Sequence, residues 1–272
     1  MRLREIAGLA VLAAMVASGC SRLAFIKTSP DRRSYEQTSA PVEVHESTAS
    51  RQRAALRTQV ALAQTALLKG DLDAAERAAR QAQREDGRSA APETLLAIIE
   101  ERRGRPAGAG AHYLRATELA PQDGAVANNY GAWLCANDRV AESLGWFERA
   151  LADPAYRTPA AALANSGACA LRAGEVTKAD RELRAAIDLD PENAVALGAL
   201  ARLQFQSGRY MEARAFSERR LAAAQADASA LELASQIERK LGDTAAADRY
   251  VRRLREEFPG NVPGNPGDTT QR

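Results

Sequence analysis

The side chains able to do chemistry are few: three cysteines (Cys20, Cys135, Cys169) and two histidines (His45, His112) in 272 residues. The histidines lie far apart in sequence, which argues against His-based metal or acid-base chemistry. No glycine-rich phosphate loop and no nucleophile motif occurs. The sequence therefore predicts no catalytic residue, no metal and no cofactor, and a protein that is not an enzyme. The thiols are left with two kinds of chemistry, oxidation to one another and covalent attachment of another group. Cys20 points to attachment. It closes the run Leu12-Ala13-Ala14-Met15-Val16-Ala17-Ser18-Gly19-Cys20, after a short basic stretch (Arg2, Arg4) and an apolar segment from Ile6 to Ala17. That segment is too short to span a bilayer as a helix, and no stop-transfer segment follows it.

Small residues at Ala17, Ser18 and Gly19 let a protease hold the extended chain beside Cys20. The pattern resembles the lipobox of bacterial lipoproteins, in which cleavage exposes the cysteine as a lipidated N-terminus. The alternative is an ordinary secretory signal with an unrelated cysteine. The resemblance implies that residues 1–19 are a signal peptide and that Cys20 carries acyl chains, palmitate among them. Each buried CH₂ contributes about 0.8 kcal/mol, so two or more chains make a stable anchor. Ser21 follows, where Asp resembles an inner-membrane retention signal. The implied location is the periplasmic face of the outer membrane.

Once Arg2, Arg4 and Glu5 are removed with the leader, 35 Lys+Arg face 34 Asp+Glu. A near-neutral chain argues against nucleic acid as a partner, and nothing suggests a small-molecule substrate. Aromatics are 5% of residues and alanine is abundant, a composition suited to closely packed helices. Residues 20–53, rich in Ser, Thr, Arg and Gln with Pro30 and Pro41, read as a lipidated N-terminus and flexible tether. Residues 259–272, opening Pro259-Gly260-Asn261-Val262-Pro263-Gly264, read as a disordered tail.

Between them, over 54–258, the chain repeats itself every 34 residues. The segments ending at Pro121 and Pro191 set repeats at 56–89, 90–123, 124–157, 160–193, 194–227 and 228–258, with an insertion at Thr158-Pro159. Glycine falls at the fifteenth position of five repeats (Gly70, Gly104, Gly174, Gly208, Gly242), where a left-handed residue ends the first of two helices; the third repeat has Asp138. A small residue recurs at the twentieth position (Ala75, Ala109, Ser143, Ala179, Ala213, Ala247), where the two helices cross. Ala82, Ala116, Ala150 and Ala186 share the twenty-seventh. The pattern resembles the tetratricopeptide repeat. It predicts an all-α, right-handed α-solenoid of six helix-turn-helix repeats whose first helices line a concave face, each repeat stabilised by its neighbours. The charged sixth repeat reads partly as a cap, and Pro106 fits a helix's first turn.

This scaffold positions the candidate site residues. Cys135 and Cys169, on neighbouring first helices, are expected to form a disulfide in an oxidising periplasm; the alternative is two small buried thiols. Asn129 and Asn165 share the sixth position, where an amide on the concave side can bond a peptide backbone, and Asn128 adjoins them. Their alternative role is a local helix contact. Leu67, Leu68, Ile98, Leu171, Arg172, Arg202 and Phe205 fall where side chains can face a concave groove or pack between repeats. An apolar strip with a few arginines suits a helical or extended peptide. Phe147 reads as core, and Trp133 and Trp146 as inter-repeat packing or client surface.

The lipobox, the six repeats, Asn128-Asn129-Tyr130-Gly131 with Leu134-Cys135, Asn165-Ser166-Gly167-Ala168-Cys169-Ala170-Leu171-Arg172-Ala173-Gly174 and Ile237-Glu238-Arg239-Lys240-Leu241-Gly242-Asp243 together resemble the PilF/PilW family of type IV pilus biogenesis lipoproteins, the pilotins. Asp138 departs from the usual glycine. The resemblance implies a scaffold that binds the secretin subunit and promotes its outer-membrane localisation and multimerisation, as pilus biogenesis and twitching motility require. The early repeats, with Leu67, Leu68 and Ile98, are expected to hold the client. A scaffold of another outer-membrane assembly machine, and an accessory subunit of a cell-wall enzyme, are the competing readings.

Overall fold

The computed structural model describes residues 47–261, so Cys20, the leader and most of the tether and tail lie outside the described residues. Within it are twelve α-helices and no strand: α1 (Thr48–Leu68), α2 (Leu72–Glu85), α3 (Ala90–Arg102), α4 (Pro106–Leu119), α5 (Gly124–Ala136), α6 (Val140–Ala152), α7 (Pro159–Arg172), α8 (Val176–Leu189), α9 (Ala194–Gln206), α10 (Tyr210–Ala223), α11 (Ala228–Leu241) and α12 (Thr244–Glu257). Two details differ from expectation. The stretch expected to be tether already becomes helical at Thr48, because the Ser47 hydroxyl accepts from the Ser50 N–H and caps the first turn. At the other end, Pro259–Asn261 forms a single 3₁₀ turn after α12.

Local chemistry sets the helix limits. The carboxylate of Asp71 accepts from the Ala74 N–H at 2.9 Å. Asp123, Asn193, Asp227 and Asp243 do the same at the starts of α5, α9, α11 and α12. Pro106 and Pro159 occupy first-turn positions, where their missing N–H costs nothing. All five glycines at the fifteenth position have φ between +70° and +83°. Asp138 takes the same left-handed conformation at φ +61°. Its turn keeps the bonds of the glycine turns: Asp138 N–H donates to Cys135 O (3.2 Å) and Arg139 N–H to Leu134 O (2.9 Å), as Gly174 and Glu175 do to Leu171 and Ala170. The substitution leaves the turn intact.

Consecutive helices pair, each pair stacks on the next, and the odd-numbered helices lie side by side along one face. The small residues at the twentieth position are fully enclosed, five of six at 0% exposure. The helices cross where these residues meet the eighth position, held by Ala97, Gly131, Gly167 and Ala201. A methyl on Gly131 would come within 2.9 Å of the Phe147 ring, and one on Gly167 within 2.7 Å of Leu183 Cγ. Close approach of backbones, not bulk, is what these pairs pack with. The apolar interior is a chain of local clusters, such as Ala63, Leu67, Leu95, Leu96 and Ile99 at one end and Ala164, Leu183, Leu200 and Leu203 further along. This is an all-α tetratricopeptide solenoid, stabilised neighbour by neighbour. No helix among the described residues is long and apolar enough to cross a membrane.

Candidate protein-binding groove

Each candidate has a defined place on this scaffold. Cys135 and Cys169 are joined by a disulfide (S–S 2.18 Å, Cα–Cα 6.0 Å), linking the C-terminal half of α5 to α7. Phe147 packs with them, fully buried. The bridge thus adds a covalent tie between first helices that hydrogen bonds and side-chain packing also hold together.

Arg172 does not reach out for a ligand. Its guanidinium donates to the Cys135 carbonyl at 2.5 Å and to Asp138 Oδ1 at 2.6 Å, across the turn that ends α5. Arg102 donates to the Leu67 carbonyl at 2.5 Å in the same way, at the end of α1. Both arginines hold the thirteenth position of their repeats. Each cation adds a second donor to a carbonyl at the end of the preceding repeat's first helix, where the helix dipole is negative. They act as inter-repeat staples, a role that the sequence reading missed for Arg172. An arginine at one position in two repeats was the available signal.

The asparagines behave similarly. Asn165 Nδ2 donates to Asn128 Oδ1 at 3.0 Å, joining α7 to α5, and Asn128 is 8% exposed. Asn129 is half-buried beside it. The expectation that early repeats present an apolar strip needs correction. Leu67 is 6% exposed and belongs to the core between α1, α2 and α3. Ile98 is half-buried and packs against two such cores. Only Leu68, at 86% exposure, stands in the open, on the last residue of α1. Trp133 and Trp146 pack around Tyr130, with ring centroids 5.8 and 4.9 Å from it. Trp133 also lies against Gly110 of the preceding repeat, and Trp146 packs on a cluster that includes Ala162 of the following one, so both serve inter-repeat packing.

A groove is instead formed by α7, α9 and α11, with Ser217 and Arg220 of α10, in repeats four to six. It encloses about 540 Å³, with Leu171, Val195, Gly198, Ala199, Arg202 and Leu233 among its walls. A smaller recess of about 310 Å³ continues it past Arg202 to Phe205 and Gln236. Of the expected groove residues, the structure gathers Leu171, Arg172, Arg202 and Phe205 here and leaves the rest elsewhere. The lining is mostly apolar, and its size lies within the range of sites that hold a ligand. Two of its three arginines are engaged. Arg172 staples α5, and Arg220 donates to the Ala224 and Gln225 carbonyls and to Asp227 Oδ2. Arg202 is exposed and makes no ion pair or hydrogen bond with the described residues.

No group of three or more His, Cys, Asp or Glu side chains able to hold a metal occurs among the described residues. His112 instead sits against Glu93, with Nδ1 2.7 Å from Oε2; Gln83 donates to the other carboxylate oxygen. That cluster joins α2, α3 and α4. The Tyr113 hydroxyl donates to Glu101 Oε2 at 2.7 Å, and burial followed by this bond raises its pKa well above the ordinary phenol value.

Comparison with known proteins agrees with this architecture. A tetratricopeptide-repeat family profile matches residues 170–237, and no curated protein sequence matches the chain. Among solved structures, that of PilW, described as a widely conserved type IV pilus biogenesis factor, superposes with a TM-score of 0.66 at 27% identity, over 75% of this chain and 94% of that one. PilF of Pseudomonas aeruginosa superposes with a TM-score of 0.65 at 22% identity, over 77% and 94%. The Cut9–Hcn1 assembly of the APC/C shares the fold alone, with a TM-score of 0.69 at 14% identity over 76% of this chain and 41% of that one. The chain is a tetratricopeptide-repeat scaffold, similar to PilW in sequence and fold and to PilF in fold.

Proposed function

We propose that this protein is a pilotin: a non-enzymatic, lipid-anchored scaffold at the periplasmic face of the outer membrane. It binds the type IV pilus secretin and promotes its localisation and multimerisation. The observation that carries this reading is the likeness to PilW, a type IV pilus biogenesis factor, over almost the whole of that chain. The lipobox ending at Cys20, followed by Ser21, supports the address. A solenoid with an open groove on its first helices supports a protein as the cargo. In this scheme the lipid supplies location, the repeats supply recognition, and no bond is made or broken after maturation.

Deletion of the gene tests the reading. Monomeric secretin and loss of twitching, both restored by the wild-type chain, are the expected result. Normal secretin oligomers and intact twitching in the deletion strain would overturn it. The anchor is tested separately: a Cys20→Ala variant that still fractionates with the outer membrane would show that lipid is not what holds the protein there.

A further inference from the structure

Glycine inside a helix costs about 0.5–1 kcal/mol relative to alanine, so each instance asks for a cause. Packing supplies one for Gly110, Gly131 and Gly167, where an added methyl would lie within 3 Å of Trp133, Phe147 or Leu183. Gly145 is unconstrained but lies exposed, away from the groove. Gly198 is different. It sits in the interior of α9, in the wall of the groove, and a methyl there would meet nothing closer than Arg220 Cδ at 3.8 Å. The fold has no need of glycine at this point. What the missing side chain provides is clearance in a groove whose walls include Leu171 of α7, Val195 of α9 and Leu233 of α11.

Four residues on, one turn further along α9, stands Arg202. It is the one guanidinium among the described groove-lining residues that has no partner, since Arg172 and Arg220 are both committed. Glu232 across the groove is engaged with Gln236 rather than with Arg202. An apolar channel narrowed by no side chain at Gly198, with a free cation one turn away, is complementary to one kind of occupant.

We propose that the groove of α7, α9 and α11 takes a short segment of a partner protein bearing an apolar side chain over Gly198 and a carboxylate that pairs with Arg202. The apolar contact supplies affinity, and the Arg–carboxylate pair fixes register. The inference deepens the reading of the solenoid as a partner-binding scaffold and rests on it. It places recognition in repeats four to six, not in the first repeat.

The full chain, immobilised, is used to select from a phage-displayed library of random dodecapeptides, with counter-selection on a Gly198→Leu variant whose groove is filled. Melting curves establish that the Gly198→Leu and Arg202→Gln variants are folded. Selected peptides are expected to carry Asp or Glu at a fixed spacing from an apolar residue. They should lose binding to Gly198→Leu and bind Arg202→Gln about tenfold more weakly. Replacing the peptide's carboxylate by its amide should have little further effect on Arg202→Gln, since the two changes remove one interaction. No acidic enrichment, full additivity of those two changes, no peptide that separates the wild type from Gly198→Leu, or equal binding to both overturns the proposal. Secretin co-purification with the same variants separates the two readings. If the wild type captures secretin and both variants do so equally, the secretin binds elsewhere; if the wild type captures none, the pilotin reading fails while the peptide result still decides the groove.

Discussion

The same substitution, glycine to alanine, should change stability in opposite directions at two sites one helix pair apart. At Gly198 the new methyl has open space, with its nearest neighbour at 3.8 Å. The helix then gains the backbone preference of alanine, about 0.5–1 kcal/mol. At Gly167 the methyl would lie 2.7 Å from Leu183 Cγ and 3.1 Å from the Leu183 backbone nitrogen, and Leu183 is 0% exposed. A backbone atom cannot turn aside as a side chain can, so α7 and α8 must separate. Overpacking of this kind costs about 1–3 kcal/mol, and a backbone clash belongs at the upper end, leaving a net loss of about 2 kcal/mol after the helix gain. For a chain of this size, 1 kcal/mol moves Tm by about 2–4 °C. Gly198→Ala is expected to raise Tm by about 2–3 °C and Gly167→Ala to lower it by about 4–8 °C, followed by far-UV circular dichroism and by urea titration. Shifts of the same sign would refute the reasoning, because helix preference alone would then outweigh the crossing geometry.

Three further outcomes follow from other contacts. Asp138→Gly removes a left-handed non-glycine residue but also a surface ion pair with Arg172. The backbone gain of about 1 kcal/mol exceeds what an exposed pair supplies, so the variant should melt higher, whereas Asp138→Val should melt lower. The Cys135→Ala, Cys169→Ala double variant opens a loop spanning 34 residues and should lose about 3–4 kcal/mol in urea titration; a loss below about 1 kcal/mol would refute the chain-entropy account here. Tyr113 has a folded-state pKa raised by burial and by its bond to Glu101. Its contribution is complete below the unfolded phenol value of about 10 and is lost as pH rises above it. Stability of the wild type should fall more steeply above pH 10 than that of Tyr113→Phe, measured as urea midpoints against pH.

The scaffold was readable because it states each instruction several times. Glycine at the fifteenth position and a small residue at the twentieth are demands of backbone geometry, and geometry is the same in every repeat. Side chains on the first helices are another matter. Leu67, Cys135, Leu171 and Phe205 hold the same twelfth position, yet one is core, one is bridged and two line the groove. What decides is the neighbouring repeat. Leu67 meets Leu95 and Ile99, while Leu171 shares its groove with Ala194, Gly198 and Ala199, and Phe205 lies beside Tyr210. Charge in a groove suggests recognition, but the use of Arg172 as a staple depends on a carbonyl 37 residues away. Gly198 carried a usable signal, an unexplained glycine in mid-helix, but only the surrounding distances separate a packing glycine from one that leaves space.

The bridge between α5 and α7 also has a mechanical consequence. In an array where each repeat touches only its neighbours, a pull along the axis is borne by the interfaces in series, and the most compliant one yields first. A covalent link and the Arg172 staple lie side by side at a single junction, between repeats three and four. Extension is therefore excluded from the centre and passed to the junctions on either side, which divides the rod into two arms that flex about a rigid middle.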